Sequence, residues 1–238
     1  MARQEVTLYV TSRCNLSCDG CIMGNFMREN RHYEMSLLEV AEFLRVTRES
    51  GYVVDIILSG GEPLLWRHLK QGLKMIRKSG IVKRILLFTN AMDISQVDDG
   101  VMSCLSQLRI SRYCSNADNT RILCQRYPKN AKIADRREFY RQPAEPIDDV
   151  LPCQCVNTEY LYMNGKVYAC AHGASANNGR DELPDGTKLY VPLRVGYMDA
   201  MAAIRAAQER SLCAKCSSNV KVQAFAERFK KKERVKPS

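Results

Sequence analysis

The chain has 238 residues and a formal net charge of +10, and 45% of its residues are hydrophobic. This composition is typical of a globular protein with a core and excludes a disordered or fibrous chain. The longest apolar runs, such as 85–88, are too short to cross a bilayer, and the N-terminus lacks the apolar stretch of a signal peptide. We therefore expect a cytoplasmic protein with no membrane partner. The positive charge indicates either a solvated surface with a basic tail at 230–234, which we favour, or an anionic partner.

The first 145 residues alternate short apolar runs with segments of helical period. Strands are predicted at 5–11, 53–58, 84–88 and 108–114, and helices lie between them. The last of these helices is predicted from an apolar face of Val97, Val101, Cys104 and Leu108. One helix begins with a capping box formed by Ser36 and Glu39. A further, weaker pair is a helix at 120–127 and a strand at 131–140. Repeated βα units predict an α/β fold with a parallel sheet or a partial barrel.

The pattern ends at 141–146, where two prolines without periodicity indicate a linker. Beyond it, Asn164-Gly165 between two apolar runs predicts a β-hairpin over 159–169. A polar loop at 175–188 and a helix near 198–209 follow. The sequence thus predicts a first domain at 1–145, a small hairpin-plus-helix domain at 150–220, and a C-terminal helix with a basic tail at 221–238.

Eleven cysteines are present, an odd number that fits a complete disulfide framework poorly. Cytosolic thiols stay reduced, so clustered cysteines there indicate metal binding or catalysis. Cys14, Cys18 and Cys21 lie in one loop after the first strand. Three thiolates can hold three corners of an iron–sulfur cubane and leave the fourth iron open for chemistry, whereas a structural zinc normally takes four ligands.

The segment Ser59-Gly60-Gly61-Glu62-Pro63 ends the second strand. Its glycines allow a ligand to approach the backbone closely, and Glu62 supplies negative charge. The same residues could also form an ordinary turn. The C-x₃-C-x₂-C loop followed by Gly-Gly-Glu-Pro resembles the radical S-adenosylmethionine (SAM) superfamily.

That resemblance implies a role for each matching residue. The three loop cysteines would ligate a catalytic [4Fe–4S] cluster, whose free iron would take the methionine part of SAM. Gly60, Gly61, Glu62 and Pro63 would receive the methionine ammonium, and Ser111 would contact the ribose. One position departs from the family, because the residue before the third cysteine is commonly aromatic and here is Gly20.

The C-terminal cysteines resemble those of a twitch domain, the shortened SPASM extension, which holds an auxiliary [4Fe–4S] cluster. Four ligands are implied, and the first of them is either Cys153, which we prefer, or Cys155. The same thiolates could instead hold a structural zinc. The implied ligand set is Cys153 or Cys155, Cys170, Cys213 and Cys216.

A short chain of this kind is similar to 2-deoxy-scyllo-inosamine dehydrogenase and, more distantly, to sulfatase-maturating enzymes. The implied reaction begins when a flavodoxin- or ferredoxin-type reductant donates one electron, which cleaves SAM to a 5′-deoxyadenosyl radical. This radical removes a hydrogen atom from a small substrate, and loss of a proton and an electron to the auxiliary cluster completes a two-electron oxidation. Two alternatives stay open: a peptide or nucleotide substrate, or a non-enzymatic metal module that binds nucleic acid, against which Gly-Gly-Glu-Pro speaks.

Overall fold

The computed structural model describes residues 4–18, 21, 23–24, 27, 30–135, 138–139, 159–169, 181–182, 186, 188–201, 225–226 and 229–231. The described helices are α1 (Leu37–Glu49), α2 (Leu69–Lys78), α3 (Asp99–Cys104) and α4 (Ala117–Arg126). The described strands are β1 (Gln4–Thr11), β2 (Leu16–Cys18), β3 (Val54–Gly60), β4 (Val82–Thr89), β5 (Gln107–Arg112), β6 (Ala131–Asp135), β7 (Glu138–Phe139), β8 (Glu159–Met163), β9 (Lys166–Tyr168), β10 (Tyr190–Pro192), β11 (Phe225–Ala226) and β12 (Phe229–Lys231).

One eight-stranded sheet organises the molecule, in the order β10-β9-β8-β1-β3-β4-β5-β6. The six strands from β8 to β6 pair in parallel, whereas β9 and β10 extend one edge in antiparallel fashion. The sheet does not close, because β10 and β6 are its two ends. The fold is therefore α/β with a partial barrel, as the repeated βα pattern predicts.

Helices cover one face of this sheet. The main core joins helix residues such as Phe43, Leu73 and Val101 to strand residues such as Ile56 and Leu108. Helix α1 begins where the sequence predicts, because the Ser36 hydroxyl accepts from the Glu39 amide (3.2 Å) and the Glu39 carboxylate accepts from the Ser36 amide (2.8 Å). These two bonds satisfy amides that the first helical turn leaves without partners.

Trp66, the single tryptophan of the chain, is fully buried in this core. Its indole Nε1 donates to the Met35 carbonyl at 2.7 Å. Helix α2 can approach the ring closely because Gly72 has no side chain, and a Cβ there would lie 2.2 Å from an indole carbon. The ring thus joins the segment after Gly-Gly-Glu-Pro to the start of α1 and to α2.

The predicted hairpin is present as β8 and β9. Asn164 and Gly165 both have positive φ angles, 47° and 71°, as the two central residues of a type I′ turn require. Strand β8 also pairs in parallel with β1. The hairpin assigned from the sequence to a small second domain therefore continues the main sheet.

Three elements differ from the sequence prediction. The helix expected to include Val97 and Leu108 spans only α3, because Leu105 is already extended and Leu108 belongs to β5. The strand expected at 131–140 is divided between two sheets, because β6 belongs to the main sheet whereas β7 pairs with β11. The described residues within 221–238 form the strands β11 and β12 rather than a helix or a solvated tail, and β12 pairs with β2 in the cysteine loop.

Within the described ranges, no helix combines the length and the apolar character needed to span a membrane.

Candidate active site

A cavity of about 120 Å³ opens where the carboxyl ends of β1, β3, β4 and β5 meet the cysteine loop. Parallel strands place their carboxyl ends at one edge of a sheet, and ligands of open α/β folds bind there. The lining residues are Cys14, Leu16, Cys18, Cys21, Ser59, Gly61, Glu62, Pro63, Phe88, Thr89, Asn90, Ser111 and Tyr113.

The three cysteines of the loop all line this cavity, and all three are half-buried thiols rather than parts of disulfides. The Cys14 Sγ accepts from the Leu16 amide at 3.4 Å. Burial raises the pKa of the Cys21 thiol, while the backbone amides of Met23 and Gly24 act in the opposite direction. Coordination to a metal removes the thiol proton, so a bound cluster would offset this burial cost.

The donor set fits an iron–sulfur cluster better than a single ion. Among the described residues, no three His, Cys, Asp or Glu side chains converge closely enough to share one metal ion. Cys14, Cys18 and Cys21 instead surround a common cavity. In a cluster each thiolate binds its own iron, so donors spaced around a cavity are what the group requires.

The Gly-Gly-Glu-Pro segment lies directly against the start of the cysteine loop. The Gly61 amide donates to the Thr11 carbonyl at 2.7 Å, and the Glu62 amide donates to the Arg13 carbonyl at 2.8 Å. A Cβ on Gly60 would lie 2.4 Å from the Thr11 carbonyl oxygen, and one on Gly61 would lie 2.3 Å from that of Arg13. The glycines are therefore required for the contact that fixes the chain just before Cys14.

Glu62 is 1% exposed, yet its carboxylate has several hydrogen-bond donors. Oε1 accepts from the Leu64 amide (3.0 Å) and the Thr89 hydroxyl (2.8 Å), and Oε2 accepts from the Asn90 amide (2.7 Å). Burial raises the pKa of Glu62 to about 7, although these hydrogen bonds favour the charged form. A carboxylate offers about four acceptor positions, so Oε2 retains one for a ligand cation.

Asn90 links three parts of the site. Its Nδ2 donates to Asn15 Oδ1 at 2.8 Å and approaches Cys14 Sγ at 3.8 Å. Its carbonyl accepts from Asn116 Nδ2 at 2.5 Å, which connects the end of β4 to the segment after β5. The sequence gives no local signal for this role of Asn90, because the contacts join residues far apart in the chain.

Ser111 lines the cavity from the end of β5, and its contact with the ribose stays a prediction. Phe88 and Tyr113 bring two aromatic rings to the same wall, and sequence reasoning missed both. Gly20, where the resemblance leads one to expect an aromatic residue, lies outside the described residues, as do Cys153, Cys155, Cys170, Cys213 and Cys216.

Comparison with known proteins identifies the family. A sequence model of the radical SAM superfamily matches residues 8–137, which include the cysteine loop and Gly-Gly-Glu-Pro. The chain belongs to the radical SAM superfamily. Membership in this superfamily implies a [4Fe–4S] cluster and SAM, and the cavity brings together residues suited to hold both.

This radical SAM chain is similar to one known protein in sequence and to another in fold. GTP 3′,8-cyclase from Syntrophomonas wolfei is 37% identical over 82 residues, which are 34% of this chain and 25% of the cyclase. The chain thus spans a quarter of the length of that curated relative.

The crystal structure of BtrN in complex with AdoMet and 2-DOIA matches with a TM-score of 0.64 at 12% identity, over 94% of this chain and 96% of BtrN. BtrN in an open conformation matches over the same shares, with a TM-score of 0.60 at 14% identity. At these identities the likeness to BtrN concerns the fold.

Proposed function

We propose that this radical SAM enzyme dehydrogenates a small polar metabolite. The observation that carries the proposal is the convergence of three cysteine thiols and a buried carboxylate on one cavity at the carboxyl ends of the parallel strands. Such a site can hold the cluster and SAM together and can leave room for a substrate on the inner face of the barrel.

Each residue has a definite task in this proposal. Cys14, Cys18 and Cys21 would hold the cluster, and Glu62 would bind the methionine ammonium through Oε2. When bound, the cluster and SAM supply a 5′-deoxyadenosyl radical that removes a hydrogen atom from substrate. Ser111 and Tyr113 would orient the nucleoside, and the apolar wall at Phe88 would keep water away from the radical.

The dehydrogenase assignment has its own support. The fold of BtrN, whose crystal structure contains AdoMet and 2-DOIA, matches 94% of this chain and not only its barrel. The C-terminal cysteines would supply the ligands for an auxiliary cluster, which would accept the electron that the substrate radical loses. An external flavodoxin- or ferredoxin-type protein would deliver the first electron to the loop cluster.

A nucleotide is the second candidate substrate. It is favoured by the 82-residue match to GTP 3′,8-cyclase, at 37% identity. That match covers a quarter of the cyclase, so it supports common SAM chemistry more directly than a common substrate. The net charge of +10 is compatible with a phosphorylated substrate.

The test is anaerobic incubation of the reconstituted enzyme with SAM, a chemical reductant and a fully deuterated metabolite extract. We expect 5′-deoxyadenosine that contains substrate-derived deuterium, and a substrate that loses two hydrogens. Cys18→Ala should abolish 5′-deoxyadenosine formation, whereas Cys124→Ala, a free cysteine outside the cavity, should retain it. Full SAM cleavage by Cys18→Ala would contradict the site, and substrate modification without loss of hydrogen would contradict dehydrogenation.

A further inference from the structure

Helices cover one face of the sheet between β4 and β6, and no described element covers the other, which we call the open face. Leu87, Leu108 and Ala131 belong to the core under the helices and lie opposite one another in register. Side chains alternate along a strand, so Phe88, Arg109 and Lys132 face the other way. Parallel sheets are normally covered on both faces. An open face of this kind is therefore a place where a ligand can lie.

A row of side chains crosses this open face beside the cavity. Phe88 pairs in register with Arg109, and Arg109 pairs with Lys132. The Arg109 guanidinium carbon lies 5.4 Å from the centre of the Phe88 ring, which itself lines the cavity. Ser111, two residues along β5, lines the cavity too, about 7 Å further along the strand at the usual rise. Arg109 thus lies at the inner edge of the site.

The charges of Arg109 and Lys132 have no carboxylate partner in the described part of the chain. The Nε of Arg109 donates to the Gln107 side-chain oxygen at 2.7 Å, which leaves both terminal guanidinium nitrogens available. The Lys132 ammonium has one contact, a weak one of 3.4 Å to the Pro128 carbonyl. Both residues are exposed.

The two carboxylates that the structure describes on this face already have a partner. Asp55 and Glu5 lie toward the amino ends of their strands, and Arg84 binds both, at 2.9 Å and 3.1 Å. The side chain of Asp55 is fully buried in that ion pair. At the amino ends of the strands, the open face therefore carries Arg84 paired with Asp55 and Glu5. Close to the cavity it carries Arg109 and Lys132, whose charges no described carboxylate neutralises.

We infer that Arg109, assisted by Lys132, is the anchor for an anionic group of the substrate, a phosphate or a carboxylate. The guanidinium presents two parallel donors to such a group, and the Phe88 ring holds its plane. The rest of the substrate then extends past Ser111 toward the cavity. This inference rests on the proposed function, to which it adds the charge of the substrate.

The test measures the dissociation constants of two probes, inorganic pyrophosphate and malonate, by isothermal titration calorimetry on the reconstituted, SAM-bound enzyme at low ionic strength. We expect one saturable site, and the probe that binds more tightly identifies phosphate or carboxylate as the preferred group. Arg109→Gln should weaken binding about tenfold or more, as expected for loss of a charged hydrogen bond, and Arg109→Lys should restore part of the affinity. Lys132→Gln should have a smaller effect in the same direction.

The control is Lys74→Gln, which removes the same charge from an exposed position on α2, on the opposite side of the sheet. Its dissociation constants should equal those of the wild type. Equal weakening by Lys74→Gln and Arg109→Gln, or no saturable binding by the wild type, would overturn the anchor. A separate measurement is reductive SAM cleavage by the wild type without substrate. If SAM is not cleaved, the proposed function is overturned, whatever the result of the anion titrations. If SAM is cleaved but neither anion binds, only the anchor is overturned.

Discussion

Glu62 shows how one residue can serve both the fold and the ligand. Its carboxylate holds the end of β4 against the Gly-Gly-Glu-Pro segment through Thr89 and Asn90. Burial makes the charged form costly, so the pKa rises to about 7 while no cation is present. A ligand ammonium at Oε2 would lower this pKa again. Binding of SAM near neutral pH should therefore release a proton from the protein.

The same residue gives the cluster-free protein a pH-dependent stability. Because the folded pKa of about 7 exceeds the ordinary value of 4.5, the folded state keeps its proton where the unfolded state has lost it. The free energy of unfolding should therefore fall by roughly 3 kcal/mol as pH rises through this window, relative to Glu62→Gln. Urea denaturation at several pH values measures this difference. The exposed Glu49→Gln is the control, and parallel pH profiles for wild type and Glu62→Gln would contradict the account.

At the residue scale the sequence indicated which residues come together better than it indicated their contacts. The three loop cysteines, Glu62 and Ser111 were all predicted, and all line one cavity. Phe88 was read only as part of a buried strand, because an apolar residue at a strand end looks the same whether it lines a core or a cavity. Asn90 gains its role from partners 75 and 26 positions away, which no local pattern indicates.

At the scale of elements, the important contact is between the turn after β3 and the segment after β1. Two backbone hydrogen bonds join them, and the missing Cβ atoms of Gly60 and Gly61 allow the approach. The cysteine loop is therefore positioned by the Gly-Gly-Glu-Pro turn itself. The sequence motifs suggest two separate binding elements, whereas in the structure each segment fixes the position of the other.

Gly61→Ala tests this contact. The new methyl group would lie 2.3 Å from the Arg13 carbonyl oxygen, which is backbone and cannot rotate away. We expect about 1–3 kcal/mol of destabilisation from this overpacking, measured by urea denaturation, together with loss of iron on reconstitution. The control Gly100→Ala lies in helix α3, where the nearest atom is the Asp98 carboxylate at 3.3 Å, and it should be neutral or slightly stabilising. Unchanged stability and iron content in Gly61→Ala would contradict the proposed role of the turn.

The elements themselves were largely predictable where the periodicity was strong. The capping box of α1, the apolar strands β3 and β4 and the Asn164-Gly165 turn all lie where the sequence predicts them. The predicted helix around 97–108 was too long, because its apolar spacing continued into β5. Strand β12 was missed, since a basic C-terminal segment has no pattern that predicts pairing with the cysteine loop.

At the scale of the whole molecule, the hairpin of β8 and β9 belongs to the same sheet as the barrel strands, through the pairing of β8 with β1. The hairpin at 159–169 is therefore not independent of the catalytic half. If the C-terminal cysteines hold an auxiliary cluster, that cluster would be attached to the barrel through this shared sheet. Loss of the cluster should then impair electron transfer while the barrel remains folded.

Iron content tests the second cluster directly. Anaerobically reconstituted wild type should contain about eight irons per chain, and a Cys213→Ala, Cys216→Ala variant should fall towards about four. Iron analysis and electron paramagnetic resonance measure both. This variant should still cleave SAM but form little oxidised product. A wild type with about four irons and one zinc would contradict the auxiliary cluster.

The burial of the single tryptophan gives the protein an internal optical probe. Trp66 follows the Gly-Gly-Glu-Pro turn by three residues, is shielded from water and contacts both α2 and the start of α1. Its fluorescence therefore arises from one known place, without the overlap of several emitters that complicates most proteins. An iron–sulfur cluster absorbs broadly in the near ultraviolet, so loading of the cysteine loop should quench this emission by energy transfer. Unfolding of the barrel should instead shift the emission to longer wavelength, so assembly of the cofactor and loss of the fold can be followed separately in one cuvette.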